Sequence, residues 1–251
     1  MMLFKRKKNV VNPIEQLKME RKYLLTRNQD FYLEEAYKSL RTNVMFALAG
    51  KSGCKVVLVT AASQSEGKSI TSANLAITFA QAGKKVLLVD CDLRRPKQAK
   101  LFGMKSVAGL SNVLLQPEEM ESALLKTTEE NLRVLLAGDI PPNPSELLGS
   151  EGMRTLLGRL REMFDYIILD TPPVNMVTDA MVLSDCVDGV LFVVRSGDAE
   201  MNSVKKAVSQ LEYAGAKLLG FVLNDVKESG GSYGSYHHSY GYGYGCSQKE
   251  K

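Results

Sequence analysis

The feature that most constrains this chain is a strand, a loop and a helix in immediate succession. Val56-Val57-Leu58-Val59-Thr60 is an apolar, β-branched run. The loop Ala62-Ser63-Gln64-Ser65-Glu66-Gly67-Lys68-Ser69 follows, and a helical pattern then runs from Ile70 to Gln81. An apolar run without polar alternation reads as a strand covered on both faces. The loop fits a template in which two small residues bracket four others ahead of Lys-Ser, with Ala62 in place of the first Gly. A loop turning tightly into a helix aims several backbone N–H groups at one point, and the helix dipole adds to its pull on anions. Gly67 lets the backbone approach a phosphate, Lys68 reaches the outer phosphates as a point charge, and the Ser69 hydroxyl is placed to ligate Mg²⁺. Ser65, Glu66 and Ile70 complete the expected nucleotide-contacting stretch.

The rest of the chain repeats the alternation. Strands are expected at Val56–Ala61, Lys85–Asp90, Leu132–Ala137, Tyr166–Asp170, Gly189–Val194 and Leu218–Leu223. Helices are expected at Leu33–Ala49, Lys68–Ala82, Ser111–Leu115, Ser150–Phe164, Val177–Leu183 and Met201–Ala214. Continuous Val/Ile/Leu strands alternating with helices predict an α/β fold, a mainly parallel sheet flanked by helices on both faces, here of the P-loop NTPase type. Ligands of such sheets bind at the C-terminal ends of the strands.

Three acidic residues fall at those ends. Asp90 closes Val86-Leu87-Leu88-Val89, Asp92 follows two residues later, and Asp170 closes Tyr166-Ile167-Ile168-Leu169. One such Asp is often a cap or turn former. Three beside a phosphate loop are better explained by Mg²⁺, which prefers carboxylate and water oxygens. Two further stretches stay open. Gly138–Pro144, with Pro141, Pro142 and Pro144, is a loop that serves either as a rigid connector or as a ligand contact. Asn224, after the last strand, either reads a base edge with its amide or forms a turn.

Composition bounds the function. A chain of 251 residues, 45% hydrophobic and 24% charged, suits one large α/β domain, and a net charge of +4 makes no case for nucleic acid. The expected organisation is a basic N-terminal segment over 1–30, the nucleotide domain over 31–228 and a flexible tail over 229–251. The first segment, with a short helix at Ile14–Leu25, is expected to be mobile or to pack late. Lys5-Arg6-Lys7-Lys8 is either a solvated tail or a weak contact with an anionic membrane face. No apolar run reaches the ~18–20 residues of a membrane span, and Asn9, Asn12 and Pro13 interrupt any signal-peptide core. The expected location is therefore the cytoplasm, with membrane association borrowed from a partner. Cys54, Cys91, Cys186 and Cys246 are too scattered for a disulfide framework or a zinc site.

The tail has its own composition. Tyr233, Tyr236, Tyr240, Tyr242 and Tyr244 lie among Gly, Ser, His237 and His238. Gly and Ser give it little reason to fold. It reads as a sticky low-complexity tail, a weak metal binder or a cluster of phosphorylatable hydroxyls. In the helix near residue 40, Glu35, Lys38 and Arg41 share one face at spacings of three, as a solvated face or as an intersubunit contact.

These features together resemble the bacterial protein-tyrosine kinases of capsule and exopolysaccharide loci, relatives of the MinD/ParA ATPases. The resemblance covers roughly residues 30–245. It rests on the loop Ala62–Ser69, on Leu87-Leu88-Val89-Asp90-Cys91-Asp92-Leu93-Arg94-Arg95-Pro96, on Ile167-Ile168-Leu169-Asp170-Thr171-Pro172-Pro173, on Glu35-Ala36-Tyr37-Lys38-Ser39-Leu40-Arg41-Thr42-Asn43, and on the Tyr cluster. It implies ATP and Mg²⁺ as cofactors, with Lys68 and Ser69 on phosphate and metal. Asp90 and Asp92 look like the second acidic motif, Asp90 being the candidate that orients or deprotonates a tyrosine hydroxyl. Asp92 and Asp170 look like further metal ligands. The resemblance also implies autophosphorylation of the five tail tyrosines in trans, a homo-oligomeric ring through Glu35, Lys38 and Arg41, a separate transmembrane activator and a cognate tyrosine phosphatase. The family has Arg where this chain has Lys38, so the charge is kept without the planar fork. Two rivals remain, a MinD/ParA-like positioning ATPase and an ATP-binding regulatory scaffold. The absence of an extra Lys among Ser63, Gln64, Ser65 and Glu66 departs from the first.

Overall fold

All six apolar runs expected as strands become strands of one sheet in the computed structural model, which describes residues 21–26, 30–105 and 108–226. The order along the chain is α1 (Phe31–Ala47), β1 (Lys55–Ala61), α2 (Lys68–Gln81), β2 (Val86–Asp90), α3 (Gln98–Phe102), α4 (Leu110–Leu115), α5 (Met120–Ala123), β3 (Leu125–Lys126), β4 (Leu132–Leu135), α6 (Pro144–Leu148), α7 (Glu151–Arg161), β5 (Tyr166–Asp170), α8 (Asp179–Val182), β6 (Gly189–Arg195), α9 (Met201–Tyr213) and β7 (Leu218–Asn224). Among the described residues the sheet has seven strands in the order β3-β4-β2-β5-β1-β6-β7. Every pairing is parallel except that of β3 with β4. β3 was not expected, because two residues are too few to carry a hydrophobic period.

The two-residue period of β1 sorts its side chains between two cores. Val56 and Leu58 pack with Leu110, Val113, Met153, Leu157 and Leu211 on the face of α4, α7 and α9. Val57 and Val59 pack with Tyr37, Val44, Leu75, Phe79 and Leu101 on the face of α1, α2 and α3. Leu58 and Val59 are both 0% exposed, so a large-to-small change at either would cost about 1–5 kcal/mol.

Element ends follow local chemistry. Asp30 starts α1 by accepting the N–H groups of Tyr32 at 2.9 Å and Leu33 at 3.2 Å, two residues before the expected start at Leu33. Ser150 caps α7 in the same way through Met153 N–H. Gly138–Pro144 is a loop as expected up to its last residue. Pro144 then opens α6, because proline is tolerated at a first helical position.

Leu24 and Leu25 fall in the segment expected to be mobile or to pack late, and they are 1% and 8% exposed. The fully buried Asn74 of α2 holds them: its Oδ1 accepts Leu25 N–H at 3.0 Å and its Nδ2 donates to Tyr23 O at 2.8 Å. An apolar pair and a bidentate amide outweigh the polar composition around them. The basic cluster Lys5–Lys8 and most of the expected helix Ile14–Leu25 lie outside the described residues.

Candidate active site

The carboxyl ends of β1, β5 and β2 lie side by side, and the register fixes what meets there. Asp170 stands opposite Val59 on one side and Asp90 on the other. The turn from β1 into α2 brings the phosphate loop over these tips. Gly67 takes φ +94°, a left-handed conformation that glycine adopts without penalty, and Ser65 is held at φ +63°. A Cβ on Gly67 would lie 1.9 Å from Asn224 Nδ2, so the loop needs glycine for space as well as conformation. Lys68 and Ser69 open α2 and are 6% and 5% exposed.

The structure brings most of the sequence-derived set together. Lys68 Nζ lies 3.6 Å from Asp92 Oδ2. Ser69 hydrogen-bonds the Asp170 carboxylate, and Ser72 donates to its Oδ1 at 3.4 Å. Asn224 comes to the loop from the tip of β7 and donates to Glu66 O at 3.0 Å. Glu66 folds back on the loop, its Oε1 accepting Ser63 N–H at 2.9 Å. Burial raises the Glu66 carboxyl above its ordinary range.

Asp90, the candidate that orients or deprotonates a tyrosine hydroxyl, is held in place by backbone donors. It is 0% exposed. Its Oδ2 accepts the N–H groups of Lys97 at 3.1 Å and Gln98 at 3.0 Å, and its Oδ1 accepts Asp92 N–H at 3.3 Å. Burial first, and then the Asp170 carboxylate, push it well above the usual carboxylate range. In this geometry it organises the loop that carries Asp92. Asp170 is also raised, chiefly by burial, against the pull of Lys68, Gln98 and Ser69.

Sequence reasoning missed two groups. Gln98, 0% exposed, donates from Nε2 to Asp170 Oδ2 at 2.8 Å and to Ser69 O at 3.1 Å. Nothing in its spacing marks it. Arg94 grips the buried Asp179 through Nε and Nη2, both at 3.1 Å, and donates to Ser145 Oγ at 3.0 Å. That network ties the loop after β2 to the first turns of α6, which follows the Pro-rich loop, and of α8. Arg94 stands in the acidic motif itself, so that position was visible while its partners were not.

The residues expected to form an intersubunit contact are engaged within the chain. Lys38 pairs with Glu34 at 2.7 Å and Glu35 at 2.9 Å, and Arg41 donates to Thr78 O of α2 at 2.8 Å. Tyr233, Tyr236, Tyr240, Tyr242 and Tyr244 lie outside the described residues.

The donor set suits Mg²⁺. Ser69, Asp92 and Asp170 offer only hard oxygens, and Gln98 Oε1 is buried beside them without a hydrogen-bond partner. Among the described residues no three acidic, His or Cys side chains form a ready cage. Mg²⁺ typically takes one or two carboxylates and completes its shell with phosphate and water.

Comparison with known proteins gives the same direction. A model of the AAA domain family matches residues 54–214. Tyrosine-protein kinase YwqD of Bacillus subtilis is 41% identical over 225 residues, 90% of this chain and 92% of that protein. Of solved structures, the chimerical protein CapA2B2 aligns with a TM-score of 0.77 at 39% identity, covering 82% of this chain and 91% of that one. The kinase domain of the Escherichia coli tyrosine kinase ETK aligns with a TM-score of 0.75 at 34% identity, covering 84% and 80%.

Proposed function

The chain belongs to the bacterial tyrosine-protein kinases, and we propose that it transfers phosphate from MgATP, at the cluster of Lys68, Ser69, Asp92 and Asp170, to the tyrosines of its own C-terminal tail. Protein-tyrosine kinase is its activity class, and neither the positioning ATPase nor the scaffold is better supported. One observation supports this site above others. The cation of Lys68, 3.6 Å from Asp92, and the carboxylate of Asp170, bonded to Ser69, meet where the loop enters α2.

Each side chain then has a part. The loop amides and Lys68 hold the phosphates and stabilise charge on the transferring group. Ser69, Asp170 and Asp92 hold Mg²⁺, which when bound neutralises phosphate charge and orients the oxygens. The tyrosine oxygen forms the new bond to phosphorus as the bond to ADP breaks. The tyrosine hydroxyl gives up its proton as it attacks, with Asp90 the candidate that orients it and takes that proton. Positioning and electrostatics supply most of the rate. Asn224 supports the loop through Glu66 and is proposed to meet the base from the same position.

The proposed assembly is drawn by analogy with the family. Glu35, Lys38 and Arg41 would exchange their internal pairs for partners on a second copy, forming a ring in which one subunit's tail reaches the next. Each phosphate adds about −1.5 to −2 charges, so a phosphorylated ring would loosen. No helix among the described residues is long and apolar enough to cross a membrane. On the family's pattern, a separate transmembrane activator would hold the kinase at the inner membrane face, with a cognate phosphatase resetting the tail, in service of capsule or exopolysaccharide export. The test is incubation with MgATP, with and without the activator's cytoplasmic segment, followed by phosphotyrosine blotting. A signal lost in Lys68→Met is expected; no signal in either condition would favour the scaffold.

A further inference from the structure

Gln98 is the one fully buried amide that touches three parts of the site at once. Its Nε2 donates to Asp170 Oδ2 at 2.8 Å and to Ser69 O at 3.1 Å, and its backbone N–H donates to Asp90 Oδ2 at 3.0 Å. Both partners of Nε2 are acceptors, so the amide can sit only one way round. That orientation turns Oε1 away from them, and Oε1 is buried without a hydrogen-bond partner. A buried acceptor left unsatisfied costs about 1–3 kcal/mol, which needs a reason.

We propose that Gln98 is a positioning residue for the metal site: Nε2 fixes the Asp170 carboxylate against the start of α2, and Oε1 accepts from a water of the ion's hydration shell. The inference rests on the reading of Ser69 and Asp170 as Mg²⁺ ligands. Three features favour it. Gln98 Nε2 reaches the Asp170 carboxylate at 2.8 Å, against 3.4 Å from Ser72. Mg²⁺ keeps several waters, each a donor for an acceptor such as Oε1. Residues behind a metal's direct ligands orient them, and their loss typically lowers metal affinity about 10–100-fold.

The test uses the full chain and a fluorescent ADP, titrated first without Mg²⁺ and then with increasing Mg²⁺. Gln98→Met keeps the side-chain volume and removes the donor. Metal-free binding of the fluorescent ADP is expected to stay within about twofold, because the loop amides and Lys68 carry it. The Mg²⁺ concentration for half-maximal enhancement is expected to rise about tenfold or more. Gln98→Asn, which keeps an amide but withdraws it by one carbon, should fall between the two, and it carries the comparison if the Met variant does not fold. An unchanged Mg²⁺ midpoint overturns the proposal. So does an equal loss of binding with and without Mg²⁺ accompanied by a lower melting temperature, which would mark a structural role. If the unsubstituted chain shows no Mg²⁺ effect, the metal reading itself fails and this inference with it.

Discussion

Asp90 and Asp170 stand opposite each other in the register of β2 and β5, both fully buried at the strand tips. Burial raises both carboxyls, and each is bonded by a different set of donors. Two desolvated carboxylates side by side favour a cation between them and the phosphates. Asp170→Asn is therefore expected to leave the melting temperature of the nucleotide-free protein undiminished while lowering the phosphorylation rate by roughly 100-fold or more. Differential scanning calorimetry and initial-rate assays on one preparation check both halves.

Gly67 is held at φ +94°, with the Asn224 amide where a Cβ would stand. Gly67→Ala is expected to cost about 1–2 kcal/mol from the left-handed backbone alone and to displace Asn224. Nucleotide affinity should fall with it. In the double variant with Asn224→Ala the steric part should disappear, so the two effects on affinity will be less than additive. Isothermal titration with ADP over the four proteins measures that coupling.

Away from the site, Asp188 accepts Val56 N–H at 2.8 Å and Arg161 Nη1 at 2.9 Å, with Lys51 Nζ at 3.3 Å. Burial alone would raise its carboxyl; the Val56 N–H and Arg161 outweigh that, and it lies below its ordinary value. The folded state thus binds the proton less readily than the unfolded chain. The resulting stability is present in full above the unfolded value of about 4 and is lost as pH falls through the lower folded value. Asp188→Asn is expected to cost on the order of 3 kcal/mol at neutral pH, with the gap narrowing in acid below that unfolded value. Urea unfolding across that range reads it directly.

The clamp of Asn74 on Tyr23 and Leu25 makes a separate case. Asn74→Ala leaves the Leu25 N–H without its partner and is expected to cost about 1–3 kcal/mol. Hydrogen exchange should show the Leu25 amide losing protection while the β1 amides keep theirs.

What could be read from the sequence follows from range. The strands were visible because Val56–Val59 or Tyr166–Leu169 need no partner to announce an apolar run, and the loop was visible because its spacing is local. Lys68, Ser69, Asp92 and Asp170 inherited their places from the rule that parallel strands end at the ligand. The parts that escaped depend on contacts between distant segments. Gln98 meets Asp170 across 72 residues, Arg94 meets Asp179 across 85, and Asn74 meets Leu25 across 49. The enclosure of Asp90 could not be read either, since its donors are backbone groups whose direction only the folded loop sets.

The destination of the phosphate defines this kinase. The direct measurement is mass spectrometry of the full chain after incubation with MgATP and the activator's cytoplasmic segment, mapping phosphate on every tyrosine. The expected result is phosphate concentrated on Tyr233, Tyr236, Tyr240, Tyr242 and Tyr244, absent in Lys68→Met and restored when that variant is mixed with active subunits. A tail that stays unmodified while the protein hydrolyses ATP, or full autophosphorylation in a variant with all five tyrosines changed to Phe, would contradict it.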